Sequence, residues 1–192
     1  MTAKYVTIYT EANPNPNSMK FVANYLLVPE NANFDFPDAD AAHNAPLAAE
    51  LFKFDFVRRV FYMNNFVTVT KDEAADWTAV IPQLRDFIKE YLEADKPVLL
   101  AGSGENPSAV YNEDDPEVVK KIKHLLDEYV RPAVESDGGA INFHSYDDGV
   151  VKLLLQGSCS GCPSSTLTLK SGIENLFKRM LPEVKEVVAE GV

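Results

Sequence analysis

The chain has 192 residues, of which 46% are apolar, and a formal net charge of −11. The apolar fraction is sufficient for one or two hydrophobic cores, and no stretch is apolar for long enough to predict a membrane span. Because the acidic balance is not interrupted by a cluster of basic residues, nucleic-acid binding is disfavoured and we interpret the acidity as a source of solubility.

Residues 1–100 form the first predicted domain, in which strands and helices are mixed. Apolar and β-branched segments bounded by turn-forming residues predict strands at 5–9, 19–28, 56–62 and 66–70. Apolar residues at helical spacing predict one helix within 40–54 and another after Trp77, which Pro82 begins or kinks. A hairpin joins the last two strands, so we expect an α+β sandwich of one sheet and two helices.

Residues 101–115 contain two glycines and four acidic residues but no basic residue, a composition that predicts a flexible acidic linker. The segment lacks the Gly-Lys-Ser/Thr ending of a phosphate-binding loop, so no nucleotide site is expected there. The first domain offers no chemistry that can be read from its residues, and client recognition or regulation is our hypothesis for it.

Residues 116–192 form the second predicted domain, so the fold class is α+β with two small domains. A helix opens at Pro116 and ends at the glycines of 137–139, and a hairpin occupies 140–155. A second helix from Pro163 and a strand at 184–189 complete the order α-β-β-α-β. The residues predicted on the buried faces of the two helices are Val118, Ile122, Leu125, Tyr129, Leu169, Ile173, Leu176 and Met180.

Residues 157–163 read GSCSGCP and contain both cysteines of the chain, Cys159 and Cys162. Glycines on either side of Cys159 allow the backbone to bend between strand and helix. Pro163 favours the first helical position, which makes Cys162 the predicted N-cap and places both sulfurs near the positive end of the helix. We therefore expect both sulfurs to be exposed and readily ionised, and to act as ligands or redox groups rather than core residues.

Two cysteines this close together cannot staple a fold, and such a pair is usually a metal or redox motif in a reducing compartment. The first four residues lead directly into an apolar segment, so we expect no signal or transit peptide. These observations predict a cytoplasmic protein that binds no membrane.

A CxxC pair supplies two ligands, whereas zinc sites and cubane clusters need about four. We interpret His43, His124 and His144 as ordinary histidines, because none of them belongs to a cluster of possible metal ligands in the sequence. A two-fold dimer meeting at 157–163 would supply four thiolates and would direct two helix N-termini at an anionic centre. A centre held between two chains can leave by ligand exchange, which favours a scaffold or carrier over an electron-transfer protein.

Residues 157–174 read GSCSGCPSSTLTLKSGIE, and Arg131-Pro132 and the DGG of 137–139 precede them. These motifs resemble the NifU-like (Nfu-type) iron–sulfur scaffold domain. The segments 13–21, 46–48 and 66–77 resemble the N-terminal domain that accompanies it, so the resemblance covers nearly the whole chain.

The resemblance implies a homodimer in which Cys159 and Cys162 of both chains hold a [4Fe-4S] cluster. It also implies an upstream cluster donor and apo-proteins that receive the cluster. A [2Fe-2S] cluster or zinc is the less favoured occupant of the same ligands.

Other functions use the same two cysteines. A thiol–disulfide oxidoreductase also places CxxC where a strand meets a helix, although here a hairpin precedes the motif and the only tryptophan, Trp77, lies in the other domain. A zinc ion that bridges two chains would satisfy the same ligand count. No catalytic arrangement of residues is evident elsewhere in the sequence, so we do not predict an enzyme.

Overall fold

The computed structural model describes residues 5–101, 106–107, 112–161 and 163–191. Within these ranges the chain forms two sheets with helices packed against them, which confirms the predicted α+β class. One hydrophobic core is built from residues within 6–99 and a second from residues within 118–189. No helix of the described ranges is long and apolar enough to cross a membrane.

The first sheet is antiparallel throughout and has the strand order β1-β2-β5-β4-β3-β6. Its strands are β1 (Ile8–Ala12), β2 (Ser18–Ala23), β3 (Ala32–Phe36), β4 (Val57–Met63), β5 (Phe66–Lys71) and β6 (Asn106–Pro107). The β4–β5 hairpin confirms the predicted one, and Asn64 in its turn has the left-handed φ of 47° that tight hairpins require. β6 lies within the predicted linker, so part of that segment extends the first sheet through β3.

The first three strands differ from the predicted ones. β1 lies three residues later than predicted, because it pairs along its whole length with β2. β2 ends at Ala23 rather than Val28, since the N–H groups of Leu27 and Val28 donate to the carbonyl oxygen of Asn64. β3 has no counterpart among the predicted strands, because the charged Asp35 interrupts its apolar pattern.

Two α-helices pack against this sheet, α1 (Pro46–Leu51) and α2 (Trp77–Glu93). α1 is shorter than the predicted 40–54, because a separate 3₁₀ turn precedes it and Pro46 takes its first position. Asp76 caps α2 by accepting a hydrogen bond from the N–H of Thr78 at 2.9 Å, and this bond lowers the pKa of the Asp76 carboxyl. The helix therefore begins before Pro82, which lies inside it.

The two faces of the first sheet are covered by different parts of the chain. In β4, Val60 and Tyr62 belong to the core that the helices cover, whereas Phe61 and Met63 alternate to the other face. The cluster on that other face consists of Val22, Phe61, Met63, Phe66 and, from the second domain, Ala140. Residues 60–63 of β4 are therefore buried on both sides of the sheet, which explains why all four are apolar.

The second domain has a three-stranded sheet in the order β7-β8-β9, antiparallel between β7 and β8 and parallel between β8 and β9. Its elements are α3 (Glu117–Leu125), α4 (Arg131–Ser136), β7 (Gly139–Asp147), β8 (Val150–Gly157), α5 (Pro163–Met180) and β9 (Glu186–Gly191). Ile173 of α5 is buried as predicted, but Phe177 rather than Met180 is the next core residue, and Met180 is exposed.

The first helix of this domain is not continuous, because Leu126–Val130 form a π-helical turn between α3 and α4. Pro132 has no N–H to donate, and its ring would clash with a carbonyl of the preceding α-helical turn, so a wider turn accommodates it. The wider turn also changes which residues face the core. Leu126 and Val130 are buried, whereas Tyr129, predicted to be buried, is 55% exposed.

Candidate functional site

The turn after β8 carries Cys159 between two bends of the backbone. Gly157 and Gly161 have φ values of 62° and 75°, which confirms that glycines turn the chain here. α5 begins at Pro163, as predicted. Cys162 and its predicted role as N-cap lie outside the described residues. We refer to 157–163 as the ligand loop.

Cys159 is buried, with 7% of its surface exposed, and belongs to the second hydrophobic core. The expectation of an exposed sulfur is therefore wrong for this residue. Its Sγ packs against β7, since a Cβ added to Gly139 would lie only 2.8 Å from the sulfur. The Oγ of Ser158 lies 3.9 Å from the same sulfur. The sulfur is thus enclosed by its own domain on one side.

A cavity of about 370 Å³ lies beside Cys159. Its lining consists of Cys159, Ala133, Val134, Asp137, Thr168 and Leu169 from the second domain and Pro14 from the first. The first domain therefore forms part of the wall around the space next to the sulfur.

Two side chains of the first domain bind the residues on either side of Cys159. The Nη1 of Arg59 donates to the Oγ of Ser160 at 2.8 Å. The Nδ2 of Asn15 donates to the carbonyl oxygen of Ser158 at 2.9 Å. Neither residue was predicted as a site residue, although the charged Arg59 next to the apolar residues 60–63 of β4 is a signal that could have marked it.

A buried ion pair fixes the guanidinium that reaches the loop. Arg59 donates through Nε and Nη2 to the two carboxylate oxygens of Asp35, at 2.9 and 2.7 Å. The side chains of Arg59 and Asp35 are only 13% and 3% exposed. A bidentate pair of this kind fixes the orientation of the guanidinium, which leaves Nη1 directed at Ser160.

Further contacts join the first domain to the end of α4. The Nζ of Lys20 donates to the carbonyl oxygen of Ser136 at 3.0 Å, and the Oγ1 of Thr68 donates to that of Gly138 at 2.8 Å. Gly138 has a φ of 80°, which confirms the predicted left-handed glycine after the helix. The end of α4 and the ligand loop therefore lie against the same face of the first sheet.

The start of the ligand loop is in direct contact with β4. A Cβ added to Gly157 would lie 2.8 Å from Cγ of Phe61 and 2.8 Å from the carbonyl oxygen of Gly138. A side chain at this position would displace one of the two, so glycine permits the close approach of the domains.

The three histidines are all exposed, as expected of ordinary surface residues. Nε2 of His124 lies 3.1 Å from a carboxylate oxygen of Glu128, and Nδ1 of His43 lies 3.1 Å from the carbonyl oxygen of Asp40. Within the described part of the chain, no group of three or more histidines, cysteines or carboxylates is placed to hold a metal ion. The described residues of one chain therefore do not complete a metal site.

Two carboxyl groups of the second domain have shifted pKa values. Burial raises the pKa of Glu135 in α4. Hydrogen bonds from Lys178 and from the backbone N–H of Val187 lower the pKa of Glu174 in α5. Glu174 thereby ties α5 to β9, the two elements that enclose Phe177 and the core near the ligand loop.

Comparison with protein families identifies both domains. Residues 8–95 match the family "Scaffold protein Nfu/NifU N terminal", and residues 122–188 match the "NifU-like domain". This chain is a NifU-like protein of the Nfu type. The two matches confirm the resemblance in both halves of the sequence.

Curated relatives of this Nfu-type chain include two that are named "NFU1 iron-sulfur cluster scaffold homolog, mitochondrial". The protein from Drosophila willistoni is 43% identical over 187 residues, and that from Drosophila persimilis is 42% identical over 180 residues. The alignments cover 97% and 94% of this chain but only 64% of each relative. The relatives are named as mitochondrial, so the cytoplasmic location of this chain stays a prediction.

Among solved structures, this Nfu-type chain is similar to the solution structure of a NifU-like protein from Saccharomyces cerevisiae. The two are 21% identical with a TM-score of 0.44. The match covers 53% of this chain and 91% of the yeast chain.

Proposed function

We propose that this chain is a scaffold or carrier that holds an iron–sulfur cluster and passes it to apo-proteins. The observation that carries the proposal is the position of Cys159 on a glycine-flanked turn between β8 and α5, three residues before the chain's only other cysteine, Cys162. Membership of the Nfu family supports iron and sulfide as the cargo. The role is binding and delivery rather than catalysis.

The cluster is of the [4Fe-4S] type and is shared by two copies of the chain. Each copy supplies Cys159 and Cys162, which is half of the four thiolates that a cubane cluster needs. The N-terminus of α5 lies at the loop, so two helix dipoles favour an anionic cluster between the copies. Because each chain supplies only two of the four thiolates, thiolates of another protein can replace them one at a time.

The proposed partners follow from this role. They are a second copy of the chain, an upstream cluster donor and apo-proteins that accept the cluster. Neither nucleic acid nor membrane is a partner, because the net charge of −11 opposes association with phosphates. The proposed location is the cytoplasm, where thiols remain reduced.

Anaerobic reconstitution with iron and sulfide tests the proposal. We expect about two irons per chain, broad visible absorption, and transfer of the cluster to an apo-protein. Cys159→Ser and Cys162→Ser should each abolish uptake. Because Cys159 is buried, its serine variant should also lose about 1 kcal/mol of stability while remaining folded.

His124→Ala and His144→Ala are the matched controls, since both histidines are exposed and both variants keep the two cysteines. They should take up as much iron as the unchanged protein. Uptake of zinc alone would support a bridging zinc site, and catalytic reduction of insulin by a colourless protein would support a thiol–disulfide oxidoreductase. Either result would contradict the carrier.

A further inference from the structure

The two domains have separate cores and meet on one face of the first sheet. The apolar cluster that crosses between them includes a single residue of the second domain, Ala140. Around this cluster, side chains of the first domain donate hydrogen bonds to backbone carbonyls of the second domain and to the hydroxyl of Ser160. Separating the domains leaves both main cores covered but exposes the apolar cluster around Phe61 and Met63.

Part of the contact between the domains lies on the ligand loop. Arg59 and Asn15 bind the residues immediately before and after Cys159, and Pro14 forms part of the wall of the adjacent cavity. Only 7% of Cys159 is exposed in this arrangement. A cluster shared by two chains requires the sulfurs of two such loops to reach the same irons, which a buried sulfur, in a loop that the first domain binds on both sides, cannot do.

We propose that the first domain is a cover for the ligand loop, held closed by a hydrogen bond from Arg59 to Ser160, and that it must move aside before a cluster is taken up. The proposal rests on the proposed function, because it concerns access to the same cysteines. In the closed chain Cys159 is protected from reaction with solutes. In the open chain the loop is available to a second copy.

Separation of the two domains leaves the ion pair between Arg59 and Asp35 intact. When the domains separate, Arg59 retains its bidentate partner Asp35, so no buried charge is left without its counter-ion. Ser160 and the backbone carbonyl of Ser158 exchange their bonds for bonds to water, so the main cost of opening is exposure of the apolar cluster around Phe61 and Met63. The ion pair thus belongs to the first domain, whereas the Nη1 bond to Ser160 joins the two domains and is broken on opening.

Alkylation of Cys159 measures the cover without any cluster. In a Cys162→Ser background Cys159 is the only cysteine, and its rate of reaction with a maleimide under reducing conditions reports the open population. We expect Arg59→Ala to raise this rate about tenfold, which corresponds to ~1.4 kcal/mol. Arg58→Ala is the matched control and should leave the rate unchanged, because Arg58 is 56% exposed and pairs with Asp72.

A second variant is needed because Arg59→Ala leaves Asp35 buried without its ion-pair partner, which impairs folding. Ser160→Ala removes the same hydrogen bond from the loop side and leaves the ion pair intact. It should also raise the alkylation rate, with the Trp77 fluorescence of the first domain unchanged. The proposal that the first domain covers the loop would be overturned if the alkylation rate were unchanged in folded Arg59→Ala and Ser160→Ala. It would also be overturned if Arg58→Ala raised the rate by the same factor.

Cluster uptake by the chain with both cysteines provides the second readout. Arg59→Ala should take up iron and sulfide about tenfold faster than the unchanged protein, in line with its larger open population. Equal uptake rates despite faster alkylation would overturn the claim that opening precedes loading. If no variant takes up iron and sulfide, the proposed function fails, whereas the alkylation result still decides whether the cover exists.

Discussion

The two faces of the first sheet are both buried, but they are buried in different ways. The face under α1 and α2 forms a core of large apolar side chains, among them Leu84 and Tyr62, both fully buried. The opposite face combines Phe61 with Lys20 and Arg59, and the second domain covers it. One face resembles the interior of a domain, and the other resembles an interface between two proteins.

This difference indicates which face holds the fold together and which one can open. Separating α2 from the sheet would expose hydrocarbon to water, at about 25 cal/mol for each Å². Separating the second domain would expose a smaller apolar cluster around Phe61 and would replace hydrogen bonds between protein groups with hydrogen bonds to water. We therefore expect substitutions on the first face to change stability and substitutions on the second face to change access to Cys159.

The largest effect is expected on the helix-packed face. Leu84→Ala should lower the free energy of unfolding of the first domain by about 2–5 kcal/mol, because it leaves a cavity in a fully buried site. Urea unfolding followed by the fluorescence of Trp77, the only tryptophan, reports this domain alone. Leu26→Ala is the control, since Leu26 is 56% exposed and its loss should have little effect. An equal loss of stability in the second domain would contradict separate cores.

A smaller effect is expected on the face that meets the second domain. Thr68→Val keeps the shape of the side chain but removes the hydrogen bond to Gly138, worth about 1 kcal/mol. Hydrogen exchange in peptides that cover 136–160 should become about fivefold faster, because the domains separate more often. The Trp77 transition should stay the same.

Thr70→Val, two positions along the same strand, is the matched control for this comparison. It should leave exchange in 136–160 unchanged. If Thr68→Val instead destabilised the first domain as strongly as Leu84→Ala does, the second face would be part of the core.

The smallest effect is expected in the second domain, at Glu174. Hydrogen bonds lower its pKa from the ordinary 4.5, so the charged form stabilises the folded state above pH 4.5, and this contribution is lost as the pH falls through the lowered value. Glu174→Gln should cost about 0.5 kcal/mol at pH 7, a modest amount because the side chain is partly exposed to solvent.

Circular dichroism during urea unfolding at pH 7 and pH 3 measures this loss. The difference between Glu174→Gln and the unchanged protein should shrink at the lower pH, where the carboxylate of the unchanged protein gains a proton. A difference that grows at pH 3 would contradict the sign of the pKa shift. The Trp77 signal of the first domain serves as the internal control.

The parts of the fold that could be predicted are those that local chemistry specifies. The β4–β5 hairpin follows from its turn, and the left-handed Gly138 follows from its place after a helix. The exposure of Tyr129 could not be predicted, because it depends on the π-helical turn that Pro132 imposes. Strand β3 could not be predicted, because a charged residue such as Asp35 is typical of the surface. Its burial depends on the ion pair with Arg59, which the sequence does not show.

In the ligand loop, too, some features could be predicted from the sequence and others could not. Its bends at Gly157 and Gly161 follow from the sequence, since few other residues take those φ values. The burial of Cys159 does not, because it depends on packing against Gly139 and the second core, while Arg59 and Asn15 of the first domain bind the residues on either side of it. No local sequence pattern encodes packing between distant segments. The sequence alone therefore predicts for Cys159 the exposure that it would have in an isolated loop.

The central claim is that two chains share one cluster through Cys159 and Cys162. Native mass spectrometry of the anaerobically reconstituted protein tests it most directly, because one spectrum gives both the number of chains and the cluster composition. We expect a species with two chains and one [4Fe-4S] cluster, which the loss of iron returns to single chains. A single chain that carries a complete cluster, or a pair of chains that carries none, would contradict the account.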